Sequence, residues 1–277
     1  MSTYHGIIVA ADSRITSQVG KKTRVSSEFC EKIVRLGSHA SACFSGTAHL
    51  INSESHLRSI SSLIGQYKSN AKLTDSTHAD PQVLALGLDS MLTSLYNQNL
   101  KNVLRGQLTI FVCGYDKSNE RRVYELQYPR RAESDASKVT IKGKVDTISQ
   151  TPSSWILGQY DTYARLIKGY DHTLSKHKWF RSVEVITIDS FDSTKADTAV
   201  VEEQLNLDDF GYDIRYDLMT LQDAIDFAVF IVRATIEAQR FNQLSVQGVG
   251  GAIDIAVITP DGFKWIQHKQ LHGEGSL

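Results

Sequence analysis

The sequence predicts an α+β chain in which helices are laid on a sandwich of antiparallel sheets, and three observations carry that expectation. Short β-branched runs bounded by turn residues come in blocks. Between the blocks, apolar residues recur at steps of three and four, two helices at a time. Two-residue and four-residue turn signals join neighbouring strands. Blocks of strands separated by pairs of helices favour helix layers on antiparallel sheet over alternating βαβ units.

The elements follow in order. "GIIVAADSRIT" (6–16) begins with Ile7, Ile8 and Val9, all β-branched, and ends in the polar cluster Asp12, Ser13 and Arg14, so it reads as a strand. "EKIVRLG" (31–37) and "HASACFSG" (39–46) are two more, with a Gly-Ser step between them that suits a hairpin. From His49 to about Tyr67 the period changes, and Leu57, Ile60, Ile64 and Tyr67 fall on one helical face. Asp80 before Pro81 is an acidic cap followed by a proline at the first helical position, and Leu84, Leu88, Met91 and Leu95 continue a second helix.

"LTIFVCGYD" (108–116) and "RRVYELQY" (121–128) form a predicted hairpin, which "SKVTIKG" (137–143) and "SSWILGQ" (153–159) extend. A shorter helix is expected over Asp161 to Tyr170. A long one opens at Thr220 with Asp223 as a capping box. Leu221, Ala224, Ile225, Ala228, Ile231, Val232 and Thr235 cover one of its faces, and Phe227 and Phe230 widen the stripe, which predicts burial on more than one side. "AIDIAVI" and "FKWIQ" are the last strands, joined by Thr259-Pro260-Asp261-Gly262.

Composition narrows the function. The chain has 277 residues, with 30 Lys and Arg against 31 Asp and Glu, so it has no positive field for nucleic acid or an anionic membrane. No apolar run approaches the roughly 18 to 20 residues of a membrane span. The first residues lack the basic start and apolar middle of a secretory signal, which makes the cytoplasm the expected compartment. Cys30, Cys43 and Cys113 match no zinc spacing and read as small buried hydrophobes, and no cofactor is expected. His268 and His272 would meet on a helical turn but lack a third ligand. "QGVGGA" (247–252) follows a helix and precedes a strand, the reverse of a dinucleotide fingerprint. Between Asp189 and Asp217, nine acids face only Lys195 and Arg215, a pattern of a solvated loop or a docking surface for a basic partner.

"GIIVAADSRIT", "EKIVRL" and "ACFSGTAHL", in that order, resemble the β subunits of the 20S proteasome. The likeness continues through "FVCGYDK", "ILGQY", "YDLMTLQDAIDFA" and "GGAIDIAVITPDGF" and covers most of the chain apart from an acidic insertion at about 171–213. It implies a single domain with the four-layer αββα sandwich of the N-terminal-nucleophile hydrolases. It also implies assembly with copies of itself or related subunits in a ring, and unfolded polypeptide as substrate. In that family a free N-terminal threonine attacks the peptide carbonyl, and its own α-amine takes the proton.

Carried over by position, Asp12 and Lys32 are the acid and base beside the nucleophile, Arg14 anchors the local charges, and the Gly46 N–H holds the oxyanion. Ile15, Cys30, Val34, Phe44 and Ala48 line the pocket for the residue before the scissile bond, with Phe44 making it shallow. Without the resemblance, Asp12 and Lys32 read as an ion pair at strand ends and Gly46 as a turn glycine.

The chain also departs from the pattern. The family's first strand, headed by the nucleophile, is missing. Ten positions separate Ser2 from Asp12, about 33 Å if the chain stays extended. Gln159 stands where a serine is expected, and Val246 and Val249 where an aspartate and a serine are expected. Two readings follow: a start placed too late, or a subunit that has lost catalysis and serves as structure or scaffold.

Overall fold

The computed structural model describes residues 1–19, 22–51, 57–98, 107–128, 145–147, 151–169, 183–186, 200–203, 211–242 and 247–270. The chain divides into two compact units, one of Met1–Gln159 with Arg215–Leu277 and one of Tyr160–Ile214.

In the larger unit β1 (Ile7–Ala11) leads to a hairpin of β2 (Ile15–Val19) and β3 (Lys22–Ser27), then β4 (Ile33–Arg35) and β5 (Ala40–Gly46). A small hairpin of β6 (His49–Ile51) and β7 (Leu57–Ser59) precedes α1 (Ile60–Asn70) and α2 (Pro81–Gln98). β8 (Leu108–Tyr115), β9 (Arg121–Tyr128) and β10 (Val145–Thr147) follow. In the second unit α3 (Asp161–Tyr163) runs on as a π-helical turn over Ala164–Lys168, and β11 (Val183–Ile186) pairs antiparallel with β12 (Val200–Glu203). The larger unit closes with α4 (Leu221–Phe241), β13 (Asp254–Thr259) and β14 (Gly262–Gln267).

Two antiparallel sheets dominate: β1-β13-β14, and β10-β9-β8-β5-β4. Strand alternation divides their residues among three apolar clusters. Ile7 and Val9 of β1 pack with Ile33, Cys113, Tyr115 and Val123 of the five-stranded sheet. Ile8, on the opposite face of β1, packs with Ile255, Val257 and the Ala224 and Ile225 of α4. The other face of the five-stranded sheet, with Ala42, Phe44, Ile110, Val112 and Leu126, meets Ile60, Leu63 and Ile64 of α1 and Leu84, Leu88 and Leu92 of α2. Each fully buried Leu or Ile there contributes about 1.5–3 kcal/mol relative to exposure.

The long helix begins as its residues dictate. The Thr220 hydroxyl accepts the N–H of Asp223 at 3.2 Å, and the Asp223 carboxylate accepts the N–H of Thr220 at 3.0 Å. These reciprocal bonds satisfy two donors that the first turn leaves unpaired. Elsewhere the structure differs from expectation. The helix predicted from His49 starts only at Ile60, because His49–Ile51 pairs with Leu57–Ser59 and Ser59 caps the helix by accepting the Ser62 N–H. β2 and β3 carry no predicted strand, because both are largely polar and β3 is mostly exposed, so no regular apolar face marks them.

"SSWILGQ" forms no strand, and only Ser153 bridges, to Ser2. "SKVTIKG" lies outside the described residues, and β10 takes the sheet edge instead. The helix expected over Asp161 to Tyr170 is a single α turn plus the π turn, ended by Gly169 in the left-handed region at φ 75°. Most of the acidic stretch lies outside the described residues. No described helix is long and apolar enough to cross a membrane.

Candidate functional site

β1 ends at Ala11, and the side chains of the three residues after it go to three different places. Ser13 is wholly buried and structural: its hydroxyl donates to the Ala252 carbonyl at 2.7 Å, and its backbone bonds Gly250 and Cys30. Arg14 reaches outward to Glu28 at 2.8 Å and also donates to the carbonyls of Gln247 and Val249, so it clasps the loop that leads from α4 into β13. Asp12 turns inward. Its Oδ1 accepts Lys32 Nζ at 2.7 Å, and its Oδ2 accepts the N–H of Gly250 at 2.9 Å and of Arg14 at 3.1 Å. Side chains of the pair keep only 12% and 14% of their exposure.

The pair sits on the wall of a cavity of about 160 Å³. Ile8 to Asp12 form one side, Ser154 to Leu157 another, and Phe227, Ala228, Ile231 and Val232 of α4 a third. Lys32, Cys43, Phe44 and Ser45 also line it, and a backbone bond from the Phe44 N–H to the Lys32 carbonyl at 3.1 Å holds β5 beside Lys32. An apolar cavity with a few convergent polar groups is the usual form of a binding or active site.

The remaining predicted residues divide. Ile15, Cys30, Val34, Phe44 and Ala48 are gathered in one apolar cluster, and of them Phe44 alone also lines the cavity. Gly46 ends β5 opposite Leu108 at φ 94°, and a Cβ there would lie 1.9 Å from the Gln107 carbonyl oxygen. Only glycine fits that position, whatever else its N–H does.

Ser2 does not stand 33 Å from Asp12. The chain reverses over Thr3–Gly6, so that Ser2 lies opposite Ile7, five residues down β1 and about 17 Å from Asp12. The Thr3 hydroxyl is buried and donates to the Gly6 carbonyl at 3.4 Å. Neither hydroxyl lines the cavity. Two thiols do, but burial pushes both Cys43 and Cys113 up, which keeps them protonated and poorly nucleophilic.

A glutamine pair went unnoticed in the sequence. Gln239, on the buried side of α4, accepts the Val249 N–H at 3.0 Å and donates to Gln159. Val249 and Gln159 both line the cavity, so the expected serines are replaced by a valine and a glutamine fastened to the helix. A polar residue within the apolar stripe of α4 was the available signal. Val246 and His272 are outside the described residues, and His268 stacks on Trp265 just beyond β14. Among the described residues no group of three His, Cys, Asp or Glu is placed to hold a metal ion.

Comparison with protein-family models and with curated proteins gives no match for this chain.

Proposed function

We propose that the chain is a proteasome-like subunit of a self-compartmentalising protein-degradation complex. Its housing serves peptide-bond hydrolysis by an N-terminal threonine in the complete, active form. The observation that carries this reading is the Asp12–Lys32 pair in the lining of an apolar cavity, with the Gly250 N–H on the same carboxylate. The helix–sheet–sheet–helix layering of such subunits belongs to the same proposal, supported by the three successive apolar clusters.

In this mechanism the Lys32 ammonium stabilises the anionic form of a hydroxyl held beside it, Asp12 keeps Lys32 oriented, and the Gly46 N–H receives the carbonyl oxygen as it becomes negative. Peptide side chains before the scissile bond enter the cluster containing Ile15, Cys30, Val34, Phe44 and Ala48. The attacking hydroxyl has to come from a residue other than Ser2 or Thr3, whose positions are occupied in the turn.

A second reading, favoured by Val249 and Gln159 at the cavity, is a catalytically silent structural subunit or scaffold. Native mass spectrometry and a fluorogenic peptide assay separate the outcomes. A ring with turnover that Lys32→Ala abolishes supports the enzyme, and a ring without turnover supports the silent subunit. A monomer at micromolar concentration refutes both. Reading the coding DNA upstream of Met1 for an in-frame strand headed by threonine tests the nucleophile directly.

A further inference from the structure

Val249 and Gly250 carry four backbone hydrogen-bonding groups between them, and all four are engaged. The Val249 carbonyl accepts Arg14 Nη1 at 3.5 Å, the Gly250 carbonyl accepts the Ser13 N–H at 3.0 Å, and the Gly250 N–H donates to Asp12 Oδ2 at 2.9 Å. Those three partners are consecutive residues, so residues 12–14 and 249–250 are knotted into one patch. The fourth bond comes from elsewhere: the Val249 N–H donates to Gln239 Oε1 at 3.0 Å. Of the four, it alone ties the patch to α4.

Gln239 is itself held. It keeps 7% of its exposure, and its amide nitrogen donates to Gln159 Oε1. An amide meets both demands, accepting from Val249 with one atom and donating to Gln159 with the other, where a carboxylate lacks the donor and a leucine lacks both. Two glycines admit the chain to this narrow place. A Cβ at Gly248 would lie 2.7 Å from Gln159 Nε2, and one at Gly250 would overlap the Arg14 guanidinium.

What the patch controls is the plane of a carboxylate. The last torsion of an aspartate is broad, so the side chain does not by itself decide where each oxygen points. Asp12 Oδ2 receives two N–H groups, from Arg14 at 3.1 Å and from Gly250 at 2.9 Å, and Oδ1 then faces Lys32 Nζ at 2.7 Å. The Arg14 bond is local, two residues along the same turn, and acts as a hinge. The Gly250 bond closes the hinge.

We propose that Gln239 is a positioning residue for the Asp12–Lys32 pair. By holding the Val249 N–H it fixes the peptide whose next N–H lands on Asp12, and so aims the carboxylate at Lys32; Gln159 is the anchor that keeps Gln239 in place. The bearing of this relay on hydrolysis rests on the function proposed above. The relay itself is a property of the folded chain and is read without turnover, so a failed peptide assay counts against that reading and not against the relay.

The test follows hydrogen exchange of assigned amides in the full chain. Gln239→Leu should speed Gly250 exchange by about tenfold or more relative to the amides of β13, and Gln239→Glu, which keeps an acceptor for Val249, should restore it to within about threefold of the parent. A bond to a carboxylate is charge-assisted, so the Gly250 amide resonance should move in Asp12→Asn. Gln239→Leu should move it in the same direction without touching Asp12. Lys32 is read separately, by its rate of acetylation with acetic anhydride against that of exposed Lys264, using peptide mass spectrometry. Release of Nζ from an unaimed carboxylate should quicken it by about threefold or more in Gln239→Leu.

If circular dichroism shows that Gln239→Leu does not fold, Gln159→Ala takes its place, since it removes only an exposed anchor and should give a smaller change in the same direction. Gly250 exchange that stays in step with the β13 amides in the folded variant overturns the relay. A loosened Gly250 with Lys32 acetylation unchanged overturns the positioning role.

Discussion

Replacing Lys32 with methionine tests the charge pair without changing the length of the side chain much. At 2.7 Å and an effective dielectric constant near 20, two unit charges attract by about 6 kcal/mol. Desolvation offsets most of that, but the offset is not recovered when only one partner is removed, and breaking a buried pair costs about 3–5 kcal/mol. Here Asp12 retains the N–H groups of Arg14 and Gly250, and a little solvent reaches it, so the expected loss is about 2–3 kcal/mol. Urea unfolding followed by tryptophan fluorescence measures it. Asp12→Asn and the double variant complete a cycle, for which a coupling of about 1.5 kcal/mol or more is expected. If Lys32→Met unfolds within about 0.5 kcal/mol of the parent, or the cycle is additive to that margin, the pair carries no net energy and the argument for a preorganised site fails.

Four further outcomes are expected. Gly46→Ala should lose at least about 1–3 kcal/mol, because its left-handed φ and the Gln107 carbonyl leave no room for a methyl; an unchanged melting temperature would contradict that geometry. Thr220→Ala should cost about 1 kcal/mol by removing the cap of α4, read from the urea midpoint. Leu88→Ala, in the cluster beneath α1 and α2, should cost about 2–5 kcal/mol by calorimetry.

The fourth concerns acid stability. Burial opposes the charge on Asp116, but the N–H groups of Glu120 and Ser118 and the Arg122 guanidinium outweigh it and hold the carboxyl below its ordinary range. A carboxyl lowered by folding contributes stability above its unfolded value, and that contribution disappears as pH falls through the folded one. Asp116→Asn should therefore be less stable than the parent at neutral pH, with the difference narrowing in acid; a gap that stays constant down to pH 2 would refute the assignment.

The sequence made most of the layered elements readable where one face is buried. β1, β5, β8, β9 and α4 announce themselves because each has to match an apolar neighbour on at least one side. β2 is mostly polar and β3 mostly exposed, so they leave no such mark. The first turn was illegible for another reason: Thr3 to Gly6 contains only one glycine, and the reversal is held by the backbone of Ser2 against Ser153, a partner 151 residues away. Asp12 and Lys32 could be paired from the family pattern, yet the Gly250 N–H that completes the carboxylate's shell could not, because backbone donors carry no residue signature. Gln239 was hidden for a similar reason, its partner being the backbone N–H of Val249 in the loop that follows the helix.

Asp12 collects its donors from three places: the residue two beyond it, a lysine 20 positions on and a glycine 238 positions on. The last of these arrives only when the terminal part of the polypeptide has docked. Contacts of such separation form late, after the local hairpins and helices. A partly synthesised or partly folded chain thus has an incomplete carboxylate shell, and Asp12 and Lys32 reach their final setting only once the unit has closed.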